Sequence, residues 1–165
     1  MTRNATHRDH HDHHRDHKRD HKHDHHHDGL LDTVTLPLTG WTARLYHQDG
    51  HPTRLVLDPG GGTPVTHALH GRTDPDPDRL VLGGHHVRLA RPFGPSAVGT
   101  ITLACGMTGG DPVDVAFLQP RPWLPARLRK VRPVILAGHV WLAEHPGHYQ
   151  DVRAATPTHT TTRAL

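Results

Sequence analysis

Eleven His and six Asp stand among the 22 residues from His7 to Asp28, with three Arg and two Lys as the only others. Imidazole is the commonest side-chain ligand for Zn²⁺, Ni²⁺, Cu²⁺ and Co²⁺, and when neutral it binds through either ring nitrogen. An adjacent carboxylate completes a coordination sphere or holds the second ring nitrogen of a ligating His. The candidate metal ligands are therefore His7, His10, His11, His13, His14, His17, His21, His23, His25, His26 and His27, with Asp12, Asp16, Asp20 and Asp24 beside them. Any few of these His can serve one ion. The tract is predicted to take several ions with weak selectivity, Zn or Ni first and Cu or Co as well.

From His10 the tract runs in a four-residue repeat, with Asp in the third place and His in the fourth. Four residues turn an α-helix by about 400°, so a helical His row would drift by about 40° per repeat and build no fixed face. Nothing in the tract is apolar, which predicts disorder in the metal-free state. Five cations against six carboxylates give it a net charge of −1, and protonating all eleven His would take it to +10. Metal binding is accordingly predicted to fall below about pH 6, near the ordinary imidazole pKa. The competing reading is a short DNA repeat that expanded into a tolerated, solvated tail. Uniform His runs mark expression tags, and this tract is interrupted throughout.

The elements that would carry such a tail come from the remaining 137 residues, enough for one domain. Removing the tail leaves about +4 of the chain's net +3, a mildly basic remainder. Sixteen Gly, fifteen Pro and a single Glu argue against many exposed helices. One Cys, Cys105, excludes an internal disulfide framework and a Cys-based zinc ribbon. No apolar run reaches the roughly 18 residues of a membrane-spanning helix. The N-terminus has no apolar h-region, so the expected location is cytoplasmic. The scarcity of Glu, Ser and Asn is also what an untranslated frame in GC-rich DNA would give, and the regular strand patterning argues against that.

That patterning predicts a mainly β protein: a small antiparallel sandwich or barrel over 29–150, preceded by the disordered tail of 1–28. A Thr-rich, disordered C-terminal tail is expected over 151–165. Strand candidates are Thr33–Leu38, Trp41–Leu45, Thr53–Asp58, Val65–Leu69, Arg79–Leu82, His86–Ala90, Gly99–Ala104, Val113–Leu118, Val134–Ala137 and Val140–Glu144. Asp49-Gly50 predicts a hairpin turn. Gly83-Gly84 predicts a second turn, and CGMTGGDP a third. WLPARLRKVR, from Trp123 to Arg132, suggests one helical turn. DPGGG lacks the Lys and the spacing of a phosphate loop and reads as a Gly-rich turn.

Within the domain, His139, Glu144, His145 and His148 form a candidate metal site, because Pro146-Gly147 would turn the chain between the last two His. Arg121, Arg127, Arg129, Lys130 and Arg132, with Trp123, form a candidate nucleic-acid surface through phosphate contact and base stacking. Ser96 lacks the nucleophile-elbow spacing, and Cys105 follows an apolar strand, so no catalytic constellation supports an enzyme. The expected function is divalent-metal binding, for Ni or Zn buffering, storage or delivery through the tail. The alternative is a small β module for nucleic acid or a protein partner, with an incidental tail.

Overall fold

The computed structural model describes residues 29–69, 77–89 and 99–165. The tail and its His and Asp ligands lie outside them, as do His70 and Ser96. Twelve strands account for the described fold, and every pairing among them is antiparallel. They are β1 (Gly29–Thr35), β2 (Thr42–His47), β3 (Thr53–Asp58), β4 (Val65–Leu69), β5 (Gly83–Leu89), β6 (Gly99–Met107), β7 (Asp114–Arg121), β8 (Leu124–Val131), β9 (Val134–Leu136), β10 (Val140–Pro146), β11 (Asp151–Ala155) and β12 (Thr160–Ala164). A short 3₁₀ turn occupies Pro77–Arg79. No helix among the described residues is long and apolar enough to cross a membrane.

The strands form three four-stranded sheets, in the orders β1-β2-β3-β4, β5-β6-β10-β9 and β12-β11-β7-β8. The second sheet is the middle layer, and its sequence shows why. Strands buried on both faces read as continuous apolar runs, whereas half-exposed strands alternate. Ile101–Gly106 and Val140–Ala143 are buried at every position. Successive side chains point to opposite faces. Leu103, Cys105, Val140 and Leu142 therefore join Ala43, Leu45, Leu55 and Leu57 of the first sheet in one core. Ala104, Trp141 and Ala143 join Val115, Phe117, Val152 and Ala154 of the third sheet in the other.

Four local expectations are corrected. Arg79–Leu82 and His86–Ala90 do not make a hairpin about Gly83-Gly84; the two glycines open β5, which pairs continuously with β6. A Cβ at Gly84 would sit 2.5 Å from Leu165 Cδ2 and 2.8 Å from the Leu103 carbonyl, so the residue is there for close approach. The strands flanking CGMTGGDP do not pair with each other either, because β6 belongs to the middle layer and β7 to the third sheet.

The basic segment 123–132 forms no helical turn. It is strand β8, entered through Pro122 and Trp123 (φ 64) and paired with β7. Residues 151–165 are not a disordered tail: β11 buries Val152 and Ala154 completely, and β12 pairs along its outer edge. The Thr-rich composition there suits an exposed edge strand, since β-branched residues fit a pleated surface. β3, β4 and the hairpin across Asp49-Gly50 follow the sequence expectation.

Candidate functional site

The expected cluster of His139, Glu144, His145 and His148 is not assembled. Glu144 and His145 are neighbours on β10 and so face opposite ways. Glu144 turns toward the loop after β1. It accepts from the Leu38 amide at 2.9 Å, the Thr39 amide at 3.0 Å and the Thr39 hydroxyl. The only Glu in the chain is thus a cap for a turn. His139 lies before β10, about 20 Å of strand from His145. No three His, Cys, Asp or Glu side chains are gathered for a metal among the described residues.

His145 and His148 instead border a cleft of about 410 Å³, together with Gln119, Arg127, Arg129 and Tyr149. Its floor is tied by Thr102, which is fully buried, donates to the Gly147 carbonyl at 2.7 Å and accepts from the Tyr149 amide at 3.2 Å. The His145 Nδ1–H donates to the Pro146 carbonyl at 2.7 Å and lies 3.0 Å from the Tyr149 hydroxyl. The His148 ring stacks on His86 at 4.0 Å, and His86 Nε2–H donates to the Tyr149 carbonyl at 2.7 Å. Arg127 and Arg129, two apart on β8, share a face and line this cleft, and no carboxylate lines it among the described residues. Such a lining suits an anion.

The five expected cations do not form one patch. Lys130 lies on the other face of β8, near Asp114 and Arg153. Arg121 lies by the β7–β8 turn, and Arg132 follows β8. Trp123 caps that turn fully exposed, at a positive φ that normally selects Gly or Asn. Cys105 carries no reactive thiolate, because burial pushes its pKa up to about 12.

A second His pair was hidden by sequence distance. His67 on β4 and His85 on β5 bring their Nε2 atoms to 3.4 Å, joining an edge of the first sheet to an edge of the middle layer. The Trp41 ring lies 6.2 Å from that of His85. The signal in the sequence was phase: His67 keeps step with Val65 and Leu69, and His85 with Val87, so both occupy inward positions.

Burial lowers the pKa of both His67 and His85 below the ordinary 6.5, and for His85 the neighbouring His67 and His86 add to the shift. Between that ordinary value and the lowered folded values, the unfolded chain binds more protons than the folded one. Stability is therefore full above about pH 6.5 and declines as pH falls through the folded pKa values. Urea unfolding of the metal-free protein should show a lower midpoint at pH 5 than at pH 7.5. A His67→Gln/His85→Gln double variant should narrow that difference; an unchanged gap would place the acid sensitivity elsewhere.

No family model, curated protein or solved structure matches this chain. Its role is therefore argued from its own residues.

Proposed function

We propose that this protein binds divalent transition-metal ions through its His/Asp tract, buffering, storing or delivering Ni²⁺ or Zn²⁺. The observation that carries this reading is eleven His interleaved with six Asp in 22 residues. With three or four ligands to each ion, that tract suffices for about three ions. The nearest Asp serves as a further ligand or orients a ligating ring. Neutral imidazole is the binding form, so protons compete with the metal.

Equilibrium dialysis of the full chain against Zn²⁺ and against Ni²⁺ tests the proposal. At pH 7.5 several ions should bind per chain, and most should be released at pH 5.5. A full-length variant with all eleven tail His replaced by Gln should retain no more than about one. Equal binding by that variant would end the reading.

A second reading, nucleic-acid binding by the β-rich domain, is favoured by one specific arrangement. Arg127 and Arg129 line the same cleft, and the exposed Trp123 ring on the same hairpin is free to stack on a base. In the same Gln-substituted chain, it would show as salt-sensitive binding to an oligonucleotide that Arg127→Ala and Arg129→Ala abolish.

A further inference from the structure

We propose that His67 and His85 form a two-imidazole site for a divalent transition-metal ion on the folded domain, distinct from the tail. The argument starts from a distance. Two imidazoles on one tetrahedral Zn²⁺, each at about 2.0–2.1 Å, must place their nitrogens about 3.3–3.4 Å apart. The Nε2 atoms of His67 and His85 stand 3.4 Å apart. As a hydrogen bond this spacing is long, since N–H donors prefer about 2.9–3.0 Å. As the edge of a metal tetrahedron it needs no adjustment.

The surroundings hold both rings in place. His67 is level with Leu55 across β3–β4, and His85 with Leu103 across β5–β6, so both rest against the apolar core between the first two sheets. A Cβ at Gly83 would come within 3.7 Å of His67 Cε1, so the glycine leaves open space beside that ring. Each ring is about half buried, which leaves a route for an ion and favours the neutral imidazole that a metal requires. The pair supplies two ligands. The remaining positions fall to water or to a donor that arrives with the ion, the open arrangement of a site that exchanges its cargo.

The site goes beyond the tail reading and fails separately from it. Two-dimensional NMR of the ring carbon–proton signals in the full-length protein, titrated with zinc sulfate at pH 7.5, follows both at once. The His67 and His85 signals should move together and saturate together. His67→Gln should weaken the response of His85 by more than the roughly 10–100-fold typical of losing a mere supporting partner, and His85→Gln should do the same to His67. Signals of His67 and His85 that stay fixed while tail His respond would overturn the site and leave the tail reading intact. A His85 response that survives His67→Gln would also overturn it, as a single adventitious imidazole. Silent tail signals with a responding pair would remove the tail reading alone. The wild-type titration is informative even if a variant folds poorly.

Discussion

Trp141→Ala is expected to cost about 3–5 kcal/mol of stability, the range for emptying a buried large aromatic site. For a chain of this size that is a fall in Tm of about 10–15 °C. Trp141 has no exposure and lies in the core between the middle and third layers. Its indole nitrogen donates to the Leu80 carbonyl at 2.8 Å. Truncation therefore opens a void and also leaves a buried carbonyl unpaired. Few other large side chains can close the gap, because the whole sequence has three Trp, two Tyr and two Phe. Trp123→Ala is the matched control: that ring touches only solvent, and its loss should stay within about 0.5 kcal/mol. Urea midpoints for the two variants decide the matter, and similar losses would contradict the layer assignment.

Gly106→Ala should be nearly as damaging, by about 3 kcal/mol, although it adds a single methyl group. A Cβ at this position would lie 2.0 Å from the Leu80 carbonyl oxygen and 2.5 Å from the Trp141 indole nitrogen. Those two atoms are the partners of the buried hydrogen bond just described. The methyl cannot be accommodated by turning a flexible side chain, because one obstacle is backbone and the other is a ring held in the core. Thermal unfolding followed by tryptophan fluorescence should show a lower Tm and an altered native spectrum. A wild-type Tm would mean that the 80–82 segment does not lie over β6.

How much of this was legible depended on whether a residue's partner was local. β3 and β4 could be read residue for residue, since alternation and the Asp49-Gly50 turn are nearest-neighbour signals. Gly83-Gly84 could not, because a glycine pair marks either a turn or a close approach. Only Leu165 and the Leu103 carbonyl decide between them. β11 offered two apolar residues, Val152 and Ala154, too few to stand out from a Thr-rich background. At the sites, the HPGH spacing suggested a shared ion, but strand alternation sends Glu144 to one layer and His145 to the other. His67 and His85 meet across two sheets, which no spacing rule encodes. The ligand character of the tail was open to reading because it is a matter of composition.

The order of the strands also dictates a history for the molecule during synthesis. The first sheet is a simple meander within residues 29–69, each strand pairing with the next, so its loops are cheap to close. Its inner face, Ala43, Leu45, Leu55 and Leu57, is covered by the middle layer, whose β10 begins 71 residues after β4 ends. At about 5–20 residues per second a ribosome needs about 4–15 s to deliver that cover. For those seconds the nascent chain carries a finished but uncapped apolar sheet, the kind of surface that holdase chaperones retain.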